Sequence, residues 1–267
     1  VNVTIPKGAI VHDMKGKFIY PSFIDIYSSY GLPDAKKAPR SDAPQMESNI
    51  KGAYGWNQAI HADYSAIKNF VADDKKAEEM RKLGFGTVLT INKDGIARGS
   101  GAVVTLATGK ENDLVVKADA SASYSFSKGS STQDYPESLM GVIALLRQTY
   151  YDAAWYKNLK DKKEYNLSLE AWNNTQSLPQ IFDAIHDWQC ILRADKLGDE
   201  FGVQYIIKGD GTEYQRIDEV KNTKARIITS LNFPKPYDVE DPYKALWVSL
   251  EEMKHWELAP TNPAALA

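Results

Sequence analysis

The chain has 267 residues, of which 43% are hydrophobic and 25% charged, an ordinary composition for a globular protein of one large domain or two. A formal net charge of −3 gives no expectation of nucleic acid or an anionic membrane as partner. The single Cys190 excludes an internal disulfide framework and a cysteine-based metal site, and no apolar run nears the roughly 18 residues of a membrane span.

The chain opens at Val1 with no initiator methionine and no signal-like apolar stretch, so a processed or trimmed product is expected and the compartment is not readable. Residues 13–29 read DMKGKFIYPSFIDIYSS. Within them, 18–27 is predicted to be a strand, with Pro21 near its start, where a missing N–H is tolerated. Residues 31–57, rich in Gly, Pro, Ser, Lys and Asn, are predicted to be a long irregular excursion of the kind that is usually functional or disordered. A helix over 63–83, stopped by Gly84, and a strand over 86–91 follow. The alternation then breaks. Short strands at 99–106, 114–117 and 121–126, with turn residues at 108–110 and 128–129, are predicted to form a β-hairpin insertion at about 95–130.

Pro136 is placed in the first turn of a helix whose apolar face is Leu139, Val142, Ile143, Leu146, Tyr150 and Ala153. The later rhythm is regular. Strands are expected at 180–185, 203–207 and 225–231, alternating with helices at 187–201, 213–221 and from Asp241-Pro242 to about 257. Gly202 is the stop of the second helix. Such alternation argues for a parallel sheet, open or closed into a barrel.

The 13–29 segment resembles the opening signature of the amidohydrolase superfamily, D-x-x-G-(x)-P-G-F-I-D-x-H-x-H, in its imidazolonepropionase-like branch. The run from Ile191 to Val203 with Tyr205 to Tyr214, and the Asn262-Pro-Ala-Ala-Leu266 segment, are similar to the barrel centre and to the helix before the last barrel strands of that branch. The resemblance implies a TIM-barrel-like (β/α) α/β fold, incomplete here, with five or six βα-type strands against the eight of a closed barrel. It divides the chain into a remnant of a small β-sandwich domain at 1–16 and a barrel portion at 17–267. It also implies that the sequence stops before the strand bearing the family's catalytic aspartate, so the barrel is expected to be completed by the remainder of a longer chain or by a second copy.

Active members of that family use zinc or another divalent metal, held in part by the two histidines of the signature. Those histidines stand one residue apart because only positions i and i+2 of a strand share a face. This chain has Tyr27 and Ser29 there, and neither is a good ligand for such an ion at neutral pH. Strand ends elsewhere offer Asp183 and Lys208 and no histidine. His186 lies two residues late as a displaced ligand, His12 precedes the barrel, His61 has no second ligand at a suitable spacing, and His255 reads as a packed or surface imidazole on a helix. Asp25 is expected to accept hydrogen bonds at its strand end. The Gly209-Asp210-Gly211 turn is open to a phosphate reading or a plain turn reading. The aromatic group Tyr150, Tyr151, Trp155, Tyr156, Tyr165 and Trp172 is open to helix packing or ligand stacking.

Three functions are expected to compete. The first is a catalytically silent amidohydrolase-like domain, structural or regulatory, with no cofactor and with Tyr27, Ser29 and Asp183 hydrogen-bonded internally. The second is an active C–N hydrolase with a non-standard metal site. The third is a peptide- or carbohydrate-binding module.

Overall fold

The computed structural model describes residues 6–37, 39, 43–237, 240–241, 243 and 246–267. Its seven strands are β1 (Phe23–Ser28), β2 (Phe85–Thr90), β3 (Ala97–Thr105), β4 (Val115–Ser125), β5 (Gln180–Asp183), β6 (Ile206–Lys208) and β7 (Arg226–Ile228), and they form one sheet in sequence order. β3 runs antiparallel to both β2 and β4, whereas β1–β2, β4–β5, β5–β6 and β6–β7 are parallel pairs. Two reversals restore direction, so six strands point the same way and bring their C-terminal ends to one rim. The sheet curls as part of a barrel and stays open at β1 and β7.

The helices are α1 (Ala66–Asn69), α2 (Asp74–Lys82), α3 (Glu111–Leu114), α4 (Leu139–Asn158), α5 (Leu167–Thr175), α6 (Trp188–Phe201), α7 (Ile217–Asn222), α8 (Leu250–Leu258) and α9 (Asn262–Leu266). No helix among the described residues is long and apolar enough to cross a membrane. Local chemistry sets their ends. Asp187 caps α6 by accepting the Cys190 N–H, and Gly202 closes it in the left-handed region at φ 68°.

Several elements differ from expectation. The 18–27 strand is cut back to Phe23–Ser28, and Phe18, Ile19 and Tyr20 lie exposed before it. The 63–83 helix is two helices. Between them Phe70 is extended, packs its ring on Tyr30, and leaves Val71 N–H to donate to the Gly31 carbonyl. Ser138, not Pro136, begins α4, since its hydroxyl accepts the Gly141 N–H. α5 has no counterpart in the sequence reading. The 213–221 helix starts as a 3₁₀ turn over Glu213–Arg216.

At the C-terminal end, α8 begins at Leu250 under a Ser249–Glu252 capping box, while Pro242 lies outside the described residues. The small strands expected at 114–117 and 121–126 are one strand, β4, and β3–β4 form the middle of the sheet. Of the 1–16 unit, residues 1–5 fall outside the described residues and 6–16 contain no strand.

The main core lies where α4, α5 and α6 cover β4–β6. Leu145, Leu146, Trp172, Ile191 and Leu197 pack there against Tyr124, Phe182, Tyr205 and Ile207. A second cluster under α2 joins Tyr30, Phe70, Ala77, Val88, Val104 and Leu106. The aromatic group divides accordingly: Tyr150, Tyr156 and Trp172 are core, while Tyr151, Trp155 and Tyr165 face solvent. The open edge is apolar too, with Ile24 60% and Ile26 47% exposed on β1.

One glycine bears on the site. The β3–β4 register shifts between Ala97 and Ser100, and Gly99 sits in that irregularity at φ +72°. A Cβ there would fall 1.9 Å from the Tyr64 carbonyl oxygen, a backbone atom that cannot swing aside. Gly99→Ala is therefore expected to cost about 2–4 kcal/mol, from backbone strain plus overlap. Chemical denaturation checks it, and an unchanged midpoint would contradict this reading of the turn.

Candidate functional site

Four strands meet at the rim through one carboxylate. Asp183, the last residue of β5, accepts the Tyr27 hydroxyl of β1 at 2.7 Å and Arg98 Nη1 of β3 at 3.1 Å, both on Oδ2. Its Oδ1 accepts Lys208 Nζ of β6 at 3.1 Å. Arg98 Nη1 also donates to the Tyr27 oxygen at 2.9 Å, and its Nε donates to the Gly95 carbonyl at 3.0 Å. Ser125 of β4 fixes the backbone below by donating to the Asp183 carbonyl at 3.2 Å. Arg98 is 3% and Asp183 6% exposed, so this pair is interior. Bulges re-aim side chains, and the irregularity at Gly99 accompanies the turn of Arg98 into this network.

The electrostatics follow from burial set against partners. Burial pushes the Asp183 carboxyl up, but the Tyr27 hydrogen bond, Arg98 and Lys208 outweigh it and hold the group below the ordinary aspartate value. Burial raises the Tyr27 phenol far above its usual value, with Arg98 lowering and Asp183 raising it further, so the phenol stays protonated and donates. Lys93 Nζ lies 4.7 Å and Lys208 Nζ 5.1 Å from the centre of the Tyr27 ring, within cation–π range.

The structure thus brings Tyr27, Asp183 and Lys208 together and leaves the other candidates apart. Ser29 lies one residue beyond β1 and is exposed. The β1–β2 register shifts between Asp25 and Ser28, which disturbs the simple alternation the i, i+2 argument assumes. Asp25 Oδ1 accepts the Tyr27 N–H at 3.0 Å, a local strand-end bond. His186 is exposed, in a positive-φ conformation at 92°. The other histidines are dispersed: His12 is exposed, His61 lies 3.9 Å from Asp94, and His255 pairs with the Tyr214 hydroxyl at 3.0 Å. The Gly209 turn closes over the buried Glu213, which takes the Asn262 amide at 2.6 Å.

Arg98 and Lys93 were missed from sequence. The available signal was a lone arginine inside the small, apolar run GIARGSGA at 95–102, since a charge in a buried strand needs a partner.

Comparison with protein-family models found no match, and no curated protein matched. Among solved structures, the crystal structure of an amidohydrolase from Thermotoga maritima MSB8 is similar, with a TM-score of 0.64 and 21% sequence identity. The match covers 97% of this chain and 68% of that one. The chain shares the fold of an amidohydrolase. At this identity the likeness speaks to architecture, and it extends over almost the whole of the present chain while about a third of the other has no counterpart in it.

The residues at the rim do not fit the divalent ion that the sequence resemblance implies for active members. Asp183 already has a guanidinium and an ammonium at 3.1 Å each, and bringing a dication there would set three cationic groups on one carboxylate. Among the described residues no three His, Cys, Asp or Glu side chains group so as to hold a metal.

Removing one partner of a buried pair strands the other charge. Arg98→Met is expected to cost about 3–5 kcal/mol, and Arg98→Met with Asp183→Leu to recover a large part of that loss. Because the folded carboxyl value is depressed, its contribution is present above the ordinary aspartate range and is lost as pH falls through the folded value. Urea melts of the single and double variants check this. Equal losses in both would contradict it.

Proposed function

We propose that this chain is a catalytically silent amidohydrolase-fold domain of the imidazolonepropionase-like type, serving as a structural or regulatory part of a larger assembly. The observation that carries the reading is the Arg98 guanidinium bonded to both Tyr27 and Asp183. Hydrolysis of an amide-like carbon needs an activated water and a base free to take its proton. Asp183 is saturated by three donors and held below its ordinary value, so it is a weak base. Tyr27 stays protonated and Lys208 is tied to the same carboxylate. The carboxylate that would face a metal is instead paired with cations of the protein.

The structural half of the reading rests on the open sheet. Among the described residues β1 and β7 have no outer neighbour, and exposed strand edges and apolar faces are normally covered. Strands from the rest of a longer chain, or from a second copy, would complete the curvature. Size-exclusion chromatography with light scattering is expected to show association of the chain alone at micromolar concentration. A well-behaved monomer with no bound dye for exposed apolar surface would count against an uncompleted barrel.

Elemental analysis of purified protein tests the silent rim. Zinc well below one equivalent is expected, and so is failure of a Tyr27→His, Ser29→His variant to gain it, because position 29 lies past the strand and Arg98 keeps Asp183. Stoichiometric metal in either protein, or amide hydrolysis abolished by chelator and restored by zinc, would overturn the proposal.

A further inference from the structure

Two buried glutamines join the excursion after β1 to the loop after β4. Gln58 donates its backbone N–H to Gln133 Oε1 at 3.0 Å, and Gln133 returns its own N–H to Gln58 Oε1 at 3.2 Å. The Thr132 N–H donates to the same Gln58 oxygen at 3.1 Å. Each side-chain carbonyl thus satisfies buried backbone that would otherwise lack a partner. The pairing extends outward. Gln45 donates its N–H to Asp134 Oδ2 at 2.8 Å, and its carbonyl accepts the Asp134 N–H at 2.9 Å. Gln133 Nε2 donates to the Met46 carbonyl at 2.9 Å, and the Thr132 hydroxyl to Gln45 Oε1 at 2.9 Å.

Little apolar surface holds this strap down. Met46, Ile50, Tyr54 and Trp56 are all exposed, and the buried Asn57 is held through its amide, which donates to the Tyr135 carbonyl at 2.8 Å. Further along, Ala59 is fully buried and its carbonyl accepts the Ile96 N–H at 2.8 Å. Residues 45–58 therefore rest mainly on hydrogen bonds, whereas the chain from 59 onward is anchored in the core. A segment with few buried apolar contacts opens locally for less free energy than the whole fold requires.

The strap reaches the charged pair through one loop. Asp94 accepts the Ser130 N–H and the Ser130 hydroxyl, each at 2.6 Å, and Ser130 adjoins the run held by Gln58. The next residue, Gly95, gives its carbonyl to Arg98 Nε at 3.0 Å. A Cβ at Gly129 would fall 2.4 Å from the Gly95 nitrogen, so 129–130 presses directly on the backbone that steadies the guanidinium. We propose that residues 45–58 are a latch on the rim, closed by the Gln58–Gln133 pair, which opens as one unit while the barrel stays folded and in opening loosens Arg98 on Asp183. This goes beyond catalytic silence and does not need it. It supplies a way for an event at the surface to alter the buried pair.

Native-state hydrogen exchange on the intact chain, followed by NMR, tests the latch. The amides of Gln45, Gln58, Ser130, Thr132, Gln133 and Asp134 are expected to share one opening free energy, below that of the central amides of β4 and α4. Gln58→Ala and Gln133→Ala are each expected to speed exchange at Gln45, Ser130 and Asp134 at least tenfold. None of those three amides bonds to either glutamine side chain, so only a common opening moves them. Arg98 Nε–H exchange is expected to accelerate in the same two variants, with β4 and α4 unchanged. Acceleration confined to each glutamine's own partners would overturn the latch, as would an equal acceleration throughout β4 and α4. An Arg98 Nε–H rate indifferent to both substitutions would overturn its link to the charged pair. Amide turnover by the wild-type protein would sink catalytic silence and leave this inference standing.

Discussion

A buried guanidinium on a buried carboxylate organises this molecule. Arg98 and Asp183 are 85 residues apart in sequence and 3.1 Å apart in space. Taking both out of water costs several kcal/mol each, which is recovered only through close geometry and further hydrogen bonds. The Tyr27 hydroxyl, Lys208 and the Gly95 carbonyl supply those bonds. The donors Tyr27, Arg98 and Lys208 come from β1, β3 and β6 to meet Asp183 of β5, so the network demands that the ends of β1, β5 and β6 and the start of β3 lie at one level. The rim is a consequence of that demand as much as of apolar packing.

The antiparallel β3 makes the arrangement possible. In a wholly parallel barrel every strand offers its C-terminal end to the rim. β3 runs the other way and offers its beginning, at Ala97 and Arg98. Gly99 then absorbs the positive-φ backbone that no other residue accepts cheaply there. A long cationic side chain thereby enters the rim, where the resemblance read from the opening motif would place a metal. The fold of an amidohydrolase is retained, and the charge at its mouth comes from the protein itself.

Much of the architecture was legible because it is periodic. The apolar stripe of α4, the helix over 187–201 with its Gly202 stop, and a strand starting at 180 follow from local spacing and termination chemistry, although that strand stops at Asp183 and not at 185. The opening motif also pointed to Tyr27. Other features depend on distant partners. Phe70 breaks a helical stretch because Tyr30 and Gly31 receive it. α5 is short and polar at its end, and Trp172 reveals its purpose only once Tyr124 and Tyr150 pack on it. The segment holding Arg98 reads from sequence as part of a hairpin insertion, which gives its arginine no distant partner. Ser29 was placed beside Tyr27 by alternation, which fails where the strand ends and its register shifts.

The account turns on Asp183 being an ionised group satisfied by protein cations. Carbon-13 NMR of the labelled aspartate carboxyls, followed against pH, measures this directly. Asp183 is predicted to titrate below the ordinary aspartate range and to move upward when Arg98 is replaced by methionine. A value at or above that range, indifferent to the arginine, would contradict the account.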